Sequence, residues 1–154
     1  MGLGLASLVA AALLGTTPAA PAGESCDGRG TRALVVNFIS AFNRGDTKRL
    51  ESLFARGMWW RWFSVGTAPG RRVQSAAYNR QTLLKYFNAR HRQHERLQLR
   101  MLRPAERGSL GYVNFTYELV RKADDMRAPV LYVGKGAMSC WTGNIAVWSM
   151  GAES

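Results

Sequence analysis

The stretch Leu34–Phe54, LVVNFISAFNRGDTKRLESLF, constrains this chain more than any other. Leu34, Phe38 and Phe42 recur at i, i+4 and i+8, with Val35 and Ile39 beside them, so one apolar stripe runs along a helix. Asn37, Ser40 and Asn43 fall elsewhere on the wheel. Gly45 can take the left-handed conformation that closes a helix, and Asp46 can cap the next one by accepting backbone N–H bonds. That second helix is short, with Leu50, Leu53 and Phe54 on one side and Lys48, Arg49 and Glu51 in water. A stripe this strong needs a large apolar partner, and the strand-like remainder of the chain supplies one.

Met58 to Val65 (MWWRWFSV) is aromatic-rich and bounded by Gly57 and Gly66, which marks a strand. It is apolar on both faces: Trp60 and Trp62 on one, Trp59 and Phe63 on the other. Gly66 to Gln74 reads as loop. Asn79 caps a third helix that runs to about His91 and buries Leu83, Leu84 and Phe87. The period then changes to two. Leu97, Leu99 and Met101 alternate with Gln98, Arg100 and Leu102. After a turn over Pro104 to Ser109, Val113, Phe115, Tyr117 and Leu119 alternate with Tyr112, Asn114, Thr116 and Glu118. Val130 to Cys140 and Asn144 to Met150 form two more strands around a tight Thr142-Gly143 turn. This order predicts an α+β fold, with three helices packed in the concave face of a strongly curled, mostly antiparallel sheet. Gly111, Gly134 and Gly136 are candidate bend points.

Residues 1–22 stand apart from that domain. Met1 to Leu14 carries no charge, and Ala20-Pro21-Ala22 offers the small residues that a signal peptidase prefers. The apolar run is too short to span a bilayer. Residues 1–22 therefore read as a signal peptide, with a buried N-terminal helix as the alternative. Residues 23–30 read as an extension and 31–150 as the folded domain. The expected location is secreted or periplasmic. Export gives Cys26 and Cys140 a meaning, because two cysteines in an oxidising compartment most often pair; two unpaired thiols are the alternative. The formal net charge is +11, with a dense basic band from Arg90 to Arg107. Such a surface attracts anions in general. The band lacks the interleaved aromatics that nucleic-acid binding needs.

The element order, the phrase AFNRGDTKRLESLF, the tryptophan strand and the closing GNIAVWSM resemble the NTF2-like, or SnoaL-like, superfamily. The resemblance covers roughly Thr31 to Met150. It implies a cone-shaped α+β domain whose sheet and helices enclose a pocket, often in homodimers. The superfamily includes isomerases, dehydratases, epoxide hydrolases, cyclases and members with no chemistry, so the fold does not fix the function. Its ketosteroid isomerases use a carboxylate base, a tyrosine and a protonated aspartic acid. The matching positions here hold Trp62, Phe38 and either Lys135 or Gly136, and none can perform those roles.

Other chemistry is sparse. His91 and His94 share a nominal helix face but lack a third zinc ligand, and Arg90, Arg92 and Arg96 surround them. No metal and no cofactor is expected. Phe38, Phe42, Trp60, Trp62, Phe87, Phe115 and Tyr117 fall on stripes that face the cone's interior and form the candidate ligand pocket. The alternative is that these rings fill the cone. The expected function is a non-catalytic module that binds a small hydrophobic or aromatic ligand, or an interaction module. Two alternatives stand beside it. One is an enzyme of the same fold (isomerase, dehydratase or cyclase type) using Tyr117, His91 or Glu118; the other is a basic adhesion module for anionic surface polymers. Intact-mass measurement of the exported protein is expected to show a chain starting near Gly23, and an exported chain that begins at Met1 contradicts this.

Overall fold

The computed structural model describes residues 26–55, 62–66, 75–77 and 79–152, with backbone alone for Trp62, Ser64 and Ser75–Ala77. Residues 1–22, read as a signal peptide, Trp60 and residues 67–74 of the expected loop lie outside the described residues.

Helix α1 (Gly28–Arg44) starts inside the segment read as an extension, because the Asp27 carboxylate accepts the N–H groups of Arg29 and Gly30 at 2.8 Å. Its stripe is buried as the spacing requires: Leu34, Val35, Phe38, Ile39, Ala41 and Phe42 all face the core. Gly45, at φ 69°, ends it. The Gly45 N–H donates to the Phe42 carbonyl and the Asp46 N–H to the Ala41 carbonyl, both at 3.0 Å. This pairing satisfies carbonyls that the helix end would otherwise leave open. The Asp46 side chain accepts the Arg49 N–H at 3.0 Å and so opens α2 (Thr47–Ser52). After α2, the Ala55 N–H donates to the Ile145 carbonyl at 3.0 Å and the Ile145 N–H to the Leu53 carbonyl at 2.8 Å, which fixes the chain beside the last strand.

Among the described residues the sheet has six strands: β1 (Trp62–Val65), β2 (Ser75–Ala77), β3 (Arg96–Pro104), β4 (Tyr112–Lys122), β5 (Val130–Ser139) and β6 (Ile145–Ala152). Their order is β2-β1-β6-β5-β4-β3. Only the β1–β6 pairing is parallel. Strand β2, antiparallel to β1, was not expected: three small residues carry too little apolar pattern to declare a strand. Helix α3 (Arg80–Arg92) follows it, and the Asn79 side chain caps α3 through the Thr82 N–H at 3.0 Å.

Alternation holds along β4, where Val113, Phe115, Tyr117 and Leu119 are buried. It breaks in β3. A bulge between Leu99 and Met101 shifts the phase, so Leu102 is the residue that turns inward while Met101 faces out. The regular alternation expected there missed this, because an inserted residue leaves no mark in an apolar count. A second register shift lies between Ala137 and Met138. These bulges bend the sheet around the helices. Gly111 is a turn residue rather than a strand bend: it sits at φ 78°, and a Cβ there would run into the Trp141 indole.

Gly134 and Gly136 act by leaving space. A Cβ on Gly134 would run into the Tyr117 ring and the Ser149 carbonyl; one on Gly136 would meet the Phe115 ring and the Val147 carbonyl. The two aromatic rings of β4 thus lie flat over the bare backbone of β5. At the edge, Asn43 completes β3: its amide donates to the Leu97 carbonyl at 2.9 Å and accepts the Leu97 N–H at 2.8 Å. Ahead of α1, a disulfide joins Cys26 to Cys140 with their α-carbons 5.1 Å apart.

Gly134→Ala and Gly136→Ala are each expected to lower stability by about 1–3 kcal/mol in urea unfolding, the usual cost of overpacking. Gly151→Ala, where a Cβ meets nothing within 4 Å, is expected to be neutral or better.

Candidate functional site

Five of the expected pocket residues meet in the interior. Phe38 and Phe42 come from α1, Phe87 from α3, and Phe115 and Tyr117 from β4; none is more than 5% exposed. Three of them, Phe38, Phe115 and Tyr117, surround Trp148 on β6, which is fully buried. Phe38 lies 4.4 Å from it, centroid to centroid, and Tyr117 stacks on it at 4.3 Å. Phe54 and Phe63 extend the cluster. Trp60 lies outside the described residues, and Trp62 contributes described backbone alone, paired with Val147. Trp148 was not among the expected pocket residues. It stands where β6 alternation points inward, a signal its place in a short closing strand made easy to overlook.

Two polar atoms in this interior behave differently. The Tyr117 hydroxyl donates to the Ser149 carbonyl at 3.0 Å. The Trp148 indole N–H is buried without an acceptor among the described residues. Native interiors leave few donors unpaired, and each such donor costs about 1–3 kcal/mol.

Beside the aromatic cluster is a charged one that sequence reasoning missed. Glu95, following α3, is almost wholly buried. Its carboxylate accepts two bonds from Arg121, at 2.6 and 3.1 Å, and a further one from Arg90. Arg90 also grips Asp125 with two bonds of 2.7 and 2.8 Å. Arg121 donates to the Tyr86 hydroxyl at 3.1 Å and lies 4.5 Å over the Tyr132 ring. The two acids and two guanidinium groups sum to zero, which is how such charges tolerate burial. Only the apolar alternation of β4 could have hinted at it, since Arg121 continues the inward series after Leu119.

The resulting pKa shifts move groups away from neutrality. Burial pushes Tyr86 up to about 12, and burial also holds Tyr117 well above its ordinary value. The hydrogen bonds from Arg90 hold Asp125 below the usual carboxylate range. For Arg121, burial works downward, and the bond to Glu95 with its neighbours outweighs it.

No protein-family model and no curated protein sequence matches the chain. Solved structures do. A protein of the NTF2-like family from Streptomyces avermitilis superposes with a TM-score of 0.59 at 14% identity, over 81% of this chain and 94% of that one. The fold is NTF2-like. The epoxide hydrolase/cyclase-like enzyme SalBIII of salinomycin pyran ring formation gives a TM-score of 0.63 at 14% identity, covering 84% of this chain and 95% of that one. The Orange Carotenoid Protein of Anabaena (Nostoc) gives 0.58 at 14% identity over 77% of this chain, which spans 34% of that longer protein.

Within this NTF2-like fold, Phe38, expected at the tyrosine position of the isomerases, is packed against Trp148. Lys135 is exposed on the far side of the sheet, while the backbone of Gly136 lies under the Phe115 ring. The residues considered for an enzyme are not brought together. Tyr117 is inside, its neighbour Glu118 lies on the opposite face of β4, and His91 packs against Gly45 at the helical corner. His94 bonds instead to Asp124, Nδ1 to carboxylate oxygen, at 2.6 Å. The described residues hold no group of three or more His, Cys, Asp or Glu placed to bind a metal, and none of their helices is long and apolar enough to cross a membrane.

A tyrosine pKa raised by folding favours the folded state while the phenol is protonated. The stability it supports is therefore complete below pH 10 and lost as pH rises towards about 12. Absorbance at the phenolate band is expected to show Tyr86 and Tyr117 ionising only together with alkaline unfolding. Tyr86→Phe is expected to make that unfolding less steep in pH.

Proposed function

We propose that this NTF2-like domain is exported and binds a small, predominantly apolar ligand that carries one hydrogen-bond acceptor, without catalysing a reaction. The observation that carries the reading is the pairing of an aromatic interior with the unaccepted Trp148 N–H. Rings from α1, α3, β4 and β6 offer an apolar body broad contact, and the indole supplies a single polar point of orientation. The buried carboxylate nearby, Glu95, is held on both oxygens by guanidinium groups and so makes a poor general base. The Orange Carotenoid Protein, solved binding canthaxanthin and matched by this chain over 34% of its length, lends support to an apolar guest. Export is supported by the uncharged apolar segment of residues 1–22 and by the Cys26–Cys140 bridge, which suits an oxidising compartment.

The test is a fluorescence titration of the chain beginning at Gly23 with Nile red, a neutral aromatic probe carrying a carbonyl acceptor. Saturable binding is expected, weakened about tenfold by Trp148→Phe, which keeps a ring and removes the donor. Absence of saturable binding overturns the reading, as does binding that Trp148→Phe leaves unchanged.

A further inference from the structure

The face of the sheet turned away from the helices carries a second, differently built surface. Strand register places Arg103 of β3, Thr116 of β4, Lys135 of β5 and Ser149 of β6 in one row. The adjacent row is Asn114, Ala137 and Val147, small or short side chains that sink below it. Between the rows lies a groove of about 570 Å³ with Arg103, Lys135 and Thr116 on its cationic side and Ala137 and Val147 on its floor. A neighbouring groove of about 440 Å³ shares Asn114, Ala137 and Val147 and ends against Leu110 and Tyr112.

Three features point to an amphipathic occupant. First, among the described residues no carboxylate pairs with Arg103 or Lys135. Glu118, on the same face, stands one row away opposite Met101 and Val133. Second, the two cations sit on strands two apart, roughly 10 Å between backbones. Both long side chains can therefore reach one anionic group above Thr116, whose hydroxyl adds a neutral donor. Third, the far end of the floor is apolar: Leu110 is 91% exposed, held out by a turn that puts it at φ 52°. A leucine in that conformation is uncommon. A second copy of the chain fits this face poorly. A two-fold contact centred on this groove would set both pairs of cations against each other, and like charges facing across an interface disfavour it.

We propose that this groove binds a small amphipathic anion. Its carboxylate or phosphate head is held by Arg103, Thr116 and Lys135, and its short apolar tail lies over Ala137 and Val147 towards Leu110.

The experiment is calorimetric titration of the chain beginning at Gly23 with octanoate, octyl phosphate and inorganic phosphate, at low and high salt. Both octyl compounds are expected to bind at least tenfold tighter than phosphate alone, more weakly as salt rises; a preference between them identifies the head. The double variant Arg103→Gln/Lys135→Gln, exposed and remote from the core, is expected to lose at least tenfold in affinity. Ala137→Phe, which fills the floor, is expected to abolish binding. Saturation with Nile red is expected to leave it unchanged, which separates this groove from the aromatic interior. Affinity that survives the double variant overturns the proposal. So does a wild-type dimer in sedimentation equilibrium that Lys135→Glu dissociates, because the face would then be covered by a second copy.

Discussion

Phe38 against Trp148 is the contact on which the other contacts depend. Their ring centroids are 4.4 Å apart, and both side chains are wholly removed from solvent. One belongs to the middle of the first helix and the other to the last strand, so the pair joins the two ends of the domain. Each aromatic side chain can bury about 150–250 Å², worth several kcal/mol at about 25 cal/mol per Å². Once Trp148 is seated, β6 lies with β1 parallel on one side and β5 antiparallel on the other. The stack of Tyr117 on the same indole then sets where β4 must run. Phe87 reaches Phe38 at 6.1 Å, which brings α3 to the same centre. The helices and the sheet thus share one hub rather than a series of separate contacts.

That hub requires the sheet to come close, and the backbone is arranged for it. Gly134 and Gly136 remove the side chains that would hold Tyr117 and Phe115 away from β5. The bulges in β3 and β6 supply curvature that flat strands lack. Helix α1 is fastened at both of its ends. The disulfide ties the chain before it to the end of β5, and Asn43 in its last turn occupies the exposed edge of β3 as a further strand residue would. The Glu95–Arg121–Arg90–Asp125 cluster fills the space near that second end. A neutral set of charges like this contributes little net energy but is costly to break, because loss of one partner leaves another charge buried alone.

The helical stripe of α1, the Gly45-Asp46 corner, the Asn79 cap and the β4 alternation were legible because each is a local rule acting within one turn or one pleat. The α+β order followed from them, and the Cys26–Cys140 pairing was expected on the assumption of export. What stayed hidden depended on partners distant in sequence. The β3 bulge is set by pairing with β4, and β2 exists because β1 offers it an edge. Arg121 looks like a surface cation until Glu95 is placed beneath it. Lys135 and Arg103 look like two more charges in a basic chain until register aligns them across β4. Five of the seven residues expected to line a pocket do converge, yet the residue at their centre, Trp148, was read only as part of a closing phrase. A single tryptophan in a short strand carries no period of its own; its importance comes from the rings that surround it.

The distribution of charge across the sheet separates the two faces by function as well as by polarity. Inside, every ionised group described is committed: Glu95 to two guanidinium groups, Arg121 to Glu95, Tyr86 and the Tyr132 face. Outside, Arg103 and Lys135 stand over a small-residue floor without a carboxylate among the described residues to hold them. A buried committed charge resists change in pH and serves rigidity. An exposed uncommitted one is available to a ligand and responds to salt, because screening acts mainly on charges in contact with water. The net charge of +11 would by itself attract anions over the whole surface. Strand register is what concentrates part of it, by setting two cations at a fixed separation beside an apolar floor. The same pleat that sends Phe115 and Tyr117 inward to Trp148 sends Asn114 and Thr116 outward to that groove, so one alternation in β4 builds both surfaces.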